Sequence, residues 1–234
     1  MASLLRQVNH GVKKLLVASG LPPSHFIDSF SQLLKLSAYV RSENLPQLTT
    51  FADRPELHAY VLTEVLHNAP VDYLEFGVYQ GESIKMWSGM SHPPDSRFFG
   101  FDSFEGLPEV WRQGTSSLAA GHFSTDGQTP QLNDPRVRFI RGWFQNTLED
   151  FAQTFQPRNR LVLHLDADLY SSTLFVLAVM NRFIIPGTVL IFDEFSRVSG
   201  EYKALTDYAA SFLKKFRPLA CSGGLYEQMA FEVI

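Results

Sequence analysis

Five short stretches of this 234-residue chain carry residues whose types and spacing could do chemistry: LEFGVYQGES (74–83), GFDSFEGLPE (100–109), RGWFQNTL (141–148), HLDADLYSST (164–173) and LIFDEF (190–195). In four of them an apolar run ends in acids. These are Glu75 ahead of Gly77, then Asp102 beside Ser103, then Asp166-Ala167-Asp168, and finally Asp193-Glu194. One acid at a strand end is as readily a loop starter or a helix cap. Four sets delivered to the same edge of a sheet make a site the better reading.

The first two stretches read as a cofactor lip. Gly77 and Gly81 let a backbone pass close to a ligand and take a positive φ, and the amides of Gly81, Glu82 and Ser83 would open a helix with partial positive charge. A dinucleotide fingerprint needs glycine where this chain has Tyr79, so a pyrophosphate has no room to approach. The spacing acid-x-Gly-x-x-x-Gly instead suits a ligand with an amino acid end and no phosphate. Asp102, 27 residues after Glu75, can accept hydrogen bonds from two ribose hydroxyls. Gly142-Trp143-Phe144 could bracket an adenine, and serves equally well as core aromatics. A nucleoside that carries an amino acid is S-adenosylmethionine.

The acids of the later strands suggest a cation. Alternate residues of a strand share a face, so Asp166 and Asp168 can look into one pocket, with Asp193 and Glu194 alongside. Clustered carboxylates repel, and one takes up a proton unless a positive charge sits among them. All-oxygen ligands select a hard ion, Mg²⁺ first, then Mn²⁺ or Ca²⁺.

The elements that must position these residues follow from periodicity. LLRQVNHGVKKLL and the stretch 24–42 have helical spacing, split by the breaker Gly20-Leu21-Pro22-Pro23. A third helix is expected over 56–70. Strands over 71–77, 97–104, 136–144, 161–168 and 188–195 then alternate with helices over 81–91, 146–155 (capped by Asn146), 171–184 and 202–216. Two short strands, RPLACSG and YEQMAFEVI, close the chain as a hairpin. This predicts an α/β fold: a seven-stranded, mostly parallel Rossmann-like sheet with helices on both faces, an antiparallel final hairpin and extra N-terminal helices. Right-handed crossovers bring every strand-to-helix loop to the carboxyl edge, where such sheets bind ligands. Residues 1–50 read as a helical extension and 51–234 as the domain that carries the site.

Composition sets limits on partners. Net charge is −4 with no dense Lys/Arg block, which speaks against nucleic acid. No apolar run approaches the roughly 20 residues that span a bilayer, so no membrane partner is expected. A single cysteine, Cys221, forbids an internal disulfide or a cysteine-based zinc site. The first 27 residues lack acids and contain Arg6, Lys13 and Lys14, yet their apolar spacing suits an accessory helix better than a targeting peptide, which predicts a cytoplasmic protein. Those helices could cover the site or pair two subunits as a homo-oligomer. His164, inside a strand, is expected as a packed core residue. His122, in the long polar stretch after Pro108, could touch substrate.

Taken in order, the five stretches resemble the motifs of the macrocin O-methyltransferase family, over about residues 55–210. The resemblance implies a class I, S-adenosylmethionine- and Mg²⁺-dependent enzyme that methylates a hydroxyl of a small molecule, a sugar or sugar-bearing natural product. It implies metal ligands at Asp166, Asp193 and Glu194 and a general base at Asp168, with cofactor contacts from Glu75, Gly77, Tyr79, Gly81, Ser83, Asp102, Ser103, Gly142 and Trp143. The family usually has two aspartates where this chain has Asp193-Glu194, and Glu194 reaches one methylene further. Two other classes explain part of the pattern. Asp166-Ala167-Asp168 is also the D-x-D of a metal-dependent glycosyltransferase, which leaves Glu75, Gly77, Gly81 and Asp102 without a role. A non-catalytic S-adenosylmethionine-binding domain would leave Asp168 and Asp193 unused.

Overall fold

The computed structural model describes residues 19, 25–113 and 116–234. The helix expected over 4–18 lies outside them, whereas the second N-terminal helix is α1, His25–Ser42. The central sheet is built from β1 (Thr49–Phe51), β2 (Val71–Phe76), β3 (Arg97–Asp102), β6 (Val137–Arg141), β7 (Arg160–Leu165), β8 (Val189–Phe192), β9 (Phe216–Ser222) and β10 (Gln228–Val233). Their spatial order is β1-β9-β10-β8-β7-β2-β3-β6. Pairs among β6, β3, β2, β7 and β8 are parallel. β10 runs antiparallel to both β8 and β9, as the closing hairpin predicted.

The sheet therefore has eight strands, not seven. The addition is β1, three largely exposed residues that pair in parallel with β9 on the sheet's edge. Three residues are too short a run to show a period, which is why the strand escaped a reading based on alternation. It straddles residue 50, the boundary expected between extension and domain. A separate two-stranded hairpin, β4 (Trp111–Gln113) and β5 (Ser116–Leu118), folds within the polar stretch after Pro108. It carries a small apolar cluster of Leu107, Trp111 and Leu169.

Burial explains the strand sequences. Every residue of β2 and β8 is buried, as expected of strands covered on both faces. Alternate residues serve opposite cores: Leu74 and Phe76 join one cluster, Val71 and Tyr73 the other. The first is covered by α4 (Phe144–Thr154), α5 (Tyr170–Val179) and α6 (Glu201–Phe212), through Leu148, Val176 and Leu205. The second is covered by α2 (Arg54–Tyr60) and α3 (Glu82–Met90), through Leu57 and Trp87. No described helix is long and apolar enough to cross a membrane.

Two helix starts bear on the site. α2 opens with a reciprocal box in Asp53-Arg54-Pro55-Glu56. The Asp53 carboxylate accepts from the Glu56 amide at 3.1 Å and the Glu56 carboxylate accepts from the Ala52 amide at 3.0 Å. α2 then relaxes into a π turn over Val61–Val65, so the helix expected to run to 70 ends early. α4 begins at Phe144 with Trp143 at its cap and no side-chain capping bond, so Asn146 is not the cap. The earlier start brings Trp143, not Asn146, to the rim of the sheet.

Candidate active site

A cavity of about 360 Å³ opens at the carboxyl edge of β2, β3, β7 and β8. One wall is the loop Gly77–Gln80 after β2. Gly77 has φ +96°, and a Cβ there would lie 1.8 Å from the Asp166 carbonyl oxygen, so only glycine lets the two strand exits lie this close. The Asp102 carboxylate holds this loop from the next strand. Its Oδ2 accepts from the amides of Val78 and Tyr79, both at 2.8 Å, and its Oδ1 accepts from the Phe104 amide at 2.8 Å. A carboxylate has about four lone-pair sites, so acceptor capacity toward the cavity remains. Ser103 fixes the following turn, accepting from the Glu105 amide at 3.0 Å.

Of the predicted cofactor residues, Gly77, Tyr79, Ser83, Asp102, Ser103 and Trp143 line this cavity, and so do all four predicted acids of the later strands, Asp166, Asp168, Asp193 and Glu194. Three do not. Gly81 caps α3 with φ +79° and Gly142 turns the chain after β6 with φ +138°. Both work through the backbone. Glu75 is buried beneath the cavity, where its carboxylate accepts from the Tyr73 hydroxyl at 2.5 Å and meets His164 Nδ1 at 3.4 Å. A strand's alternation sends position 75 inward even though the loop two residues later faces the site. His122 is exposed and lies outside the lining, which its neighbour Phe123 joins.

The acids are not equivalent. Asp193 is buried, receives Arg54 Nη2 on Oδ2 at 2.5 Å, and faces His164 Nε2 across 3.7 Å. Asp166 has Arg54 Nη1 at 3.8 Å. Glu194 is turned to Arg197, whose Nε donates to it at 2.7 Å. Burial holds the Asp166 carboxyl well above the usual carboxylate range, with Asp193 adding to the shift. Burial likewise pushes Asp168 up to about 7, helped by the charges of Glu194 and Asp193. Burial also raises Glu194, although the Arg197 bond opposes it.

Two cations beneath the acids were not read as such from the sequence. His164 is fully buried, as expected of a core residue, and it lies between two carboxylates. Burial disfavours its charge, yet the flanking Asp193 and Glu75 carboxylates outweigh that and raise its pKa to about 9. Arg54 is the second, brought to the cavity by the capping box of α2. A D-x-x-E pattern before an apolar run would have located that helix start. Glu201 was also missed. It is buried in the first turn of α6, and its carboxylate accepts from the Glu194 amide at 2.8 Å.

Residues 53–215 match the family described as Macrocin-O-methyltransferase (TylF). A relative from Streptomyces olivaceus, an 8-demethyl-8-(2,3-dimethoxy-alpha-L-rhamnosyl)-tetracenomycin-C 4'-O-methyltransferase, is 30% identical over 170 residues, 65% of this chain and 63% of its own length. The demethyldecarbamoylnovobiocin O-methyltransferase of Streptomyces niveus is 29% identical over 163 residues, 62% of this chain and 61% of its own. The chain thus spans less than two thirds of the length of these two relatives. Among solved structures, the O-methyltransferase NovP superposes with a TM-score of 0.57 at 24% identity, over 76% of this chain and 78% of that one. The calicheamicin methyltransferase CalS11 gives 0.57 at 18%, over 91% and 94%. An O-methyltransferase from Bacillus cereus in complex with SAH gives 0.52 at 18%, over 94% and 95%. These likenesses show the fold, and the match over 53–215 identifies the chain as a member of the macrocin-O-methyltransferase family.

Proposed function

We propose that this chain is an S-adenosylmethionine-dependent O-methyltransferase acting on a hydroxyl of a small molecule, a sugar or sugar-bearing natural product. The observation that carries this is the convergence of two sets of residues on one cavity: Gly77, Tyr79, Asp102 and Trp143 at one side, Asp166, Asp168 and Asp193 at the other. The volume suits a nucleoside-sized ligand, and the backbone approach at Gly77 leaves no space for a side chain. The descriptions of the two Streptomyces relatives, one naming a rhamnosyl-tetracenomycin and the other a novobiocin precursor, support an acceptor of that class. In the same reading, the methyltransferase domain runs from β1 to the end of β10, so it begins just ahead of the boundary expected at 50, and the protein works in the cytoplasm.

When bound, the cofactor supplies an electrophilic sulfonium methyl for in-line transfer to the acceptor oxygen. Asp102 and Ser103 would hold the ribose end, Trp143 would cover the base, and Asp168 would take the proton of the acceptor hydroxyl. Leu107, Pro108, Trp111 and Phe123 give the cavity an apolar lining. The donors also fit a hard ion in part. Asp193 Oδ1 is buried without a hydrogen-bond partner, and carboxylate oxygens of Asp166 and Asp193 lie within 4.8 Å of one another. His164 offers a ring nitrogen to the same cluster. Glu194 carries a bond from Arg197 on one oxygen, as Asp193 carries one from Arg54, and its other oxygen is the one that would face an ion. Mg²⁺ on Asp166 and Asp193 would stabilise the developing alkoxide.

Calorimetric titration of S-adenosylmethionine and S-adenosylhomocysteine, with Mg²⁺ and with chelator, tests the reading. Micromolar binding, followed by methyl transfer to members of a sugar and phenol panel, is the expected result. No binding of either ligand would overturn it.

A further inference from the structure

We infer that Arg54 is the cofactor's carboxylate anchor, a role that rests on the S-adenosylmethionine reading and deepens it. Among the described residues that line the cavity, Arg54 is the only basic one, against Glu82, Asp102, Asp166, Asp168, Asp193 and Glu194. S-adenosylmethionine carries two positive groups, sulfonium and ammonium, and one negative group, the carboxylate. The acids welcome the first two and repel the third, so among the lining side chains the carboxylate has one cationic partner.

Arg54 is built for that place. The Asp53–Glu56 box fixes its backbone in the first turn of α2. Its side chain is one-third exposed and turned into the cavity. Nη1 donates to Ser83 Oγ at 2.9 Å and Nη2 to Asp193 at 2.5 Å. A guanidinium has five N–H donors, so donors remain for a carboxylate. Ser83 stands next to it on α3. With the amino acid end at Arg54 and Ser83 and the ribose at Asp102, the sulfur is drawn between them, on the side of Asp166 and Asp168. Arg54 is thus a positioning residue: it fixes which way the methyl faces.

The test compares S-adenosylhomocysteine with its decarboxylated form, S-adenosyl-3-thiopropylamine, by calorimetry on the full chain and on Arg54→Met. Loss of charge-assisted hydrogen bonds to a carboxylate predicts that the wild-type protein binds the decarboxylated ligand about 10- to 100-fold more weakly. Arg54→Met should bind S-adenosylhomocysteine more weakly by a similar factor and should no longer distinguish the two ligands. Equal wild-type affinity for both ligands overturns the anchor, and this result needs no variant to fold. A variant that binds both ligands more weakly yet still prefers the carboxylate also overturns it, leaving Arg54 a role in holding Asp193. A wild-type protein that binds neither overturns the cofactor reading itself.

Discussion

Gly77→Ala should damage both the fold and the site, and the structure says by how much. The new Cβ would stand 1.8 Å from the Asp166 carbonyl oxygen, where real contacts almost never fall under 3.0 Å. The β2 and β7 exits must therefore separate by about 1 Å. At φ +96° a side chain adds roughly 1–2 kcal/mol of backbone strain. The separation stretches two bonds that tie this corner, Gly77 N–H to the Phe101 carbonyl at 3.0 Å and Asp166 N–H to the Phe76 carbonyl at 2.9 Å, each worth about 1 kcal/mol. The expected loss is on the order of 3–4 kcal/mol, a large part of a typical domain's roughly 5–15 kcal/mol. In the fraction that stays folded, an error of about 1 Å in Asp166 and Asp168 costs roughly 10²-fold in rate. Urea unfolding followed by circular dichroism measures the first effect, and S-adenosylhomocysteine release from S-adenosylmethionine the second. Gly89→Ala is the control: in the last turn of α3 a Cβ there meets nothing within 4 Å, so no loss and about 0.4–1 kcal/mol of stabilisation are expected. Equal unfolding midpoints for the two variants would refute the steric argument.

Four further outcomes test separate parts of the site. Asp168→Asn should lower turnover by about 10²–10⁴-fold while S-adenosylhomocysteine still binds as in the wild type; intact turnover would remove Asp168 from the role of base. Asp102→Ala frees the amides of Val78 and Tyr79 and should weaken S-adenosylhomocysteine about 10-fold or more, since hydrogen bonds to a charged group are worth roughly 1.5–3 kcal/mol; unchanged calorimetry would show that the loop needs no such anchor. His164→Leu leaves Glu75 and Asp193 buried with less compensation, and a cost of about 3–5 kcal/mol is expected in urea. A wild-type midpoint there would mean that His164 is packed neutral. Dialysis against chelator should lower turnover and added Mg²⁺ should restore it, whereas turnover indifferent to both would exclude an ion on Asp166 and Asp193.

The layered fold was legible because its strands are long, buried runs that alternate with helices, and VDYLEF, RLVLHL and VLIF all lie where periodicity put them. β1 was not, because an edge strand of three residues that pairs with a strand far along the chain has no local signature. The helix starts show the same limit. Asn146 is a sound cap by residue type, yet α4 starts two residues earlier, where the exit of β6 dictates the geometry. At the site, the acids could be read because strand ends deliver them to one edge. Which of them face the cavity could not, because Glu75 and Gly77 lie two residues apart and serve opposite purposes. Arg54 was invisible for another reason: it lies a whole helix ahead of β2, and only tertiary folding sets it against Asp193.

That cation changes what the acid cluster means. From sequence alone, neighbouring carboxylates demand a counter-charge, and a metal ion is the simplest supply. The folded chain provides much of it from its own residues. Asp193 lies between Arg54 and His164, Asp166 has Arg54 within 3.8 Å, and Glu194 is matched by Arg197. An ion pair opposes protonation of its carboxylate, because protonation forfeits the pair, although burial outweighs this at Asp166 and Glu194. Among the described residues Asp168 alone of the four has no salt-bridge partner, and its backbone sits in the left-handed region at φ +60°. Such a conformation costs free energy in a non-glycine residue and persists only where its surroundings enforce it. The D-x-D spacing made Asp166 and Asp168 look alike. Pairing separates them: Asp166, Asp193 and Glu194 each face an arginine of the chain's own, whereas Asp168 meets whatever enters the cavity without one.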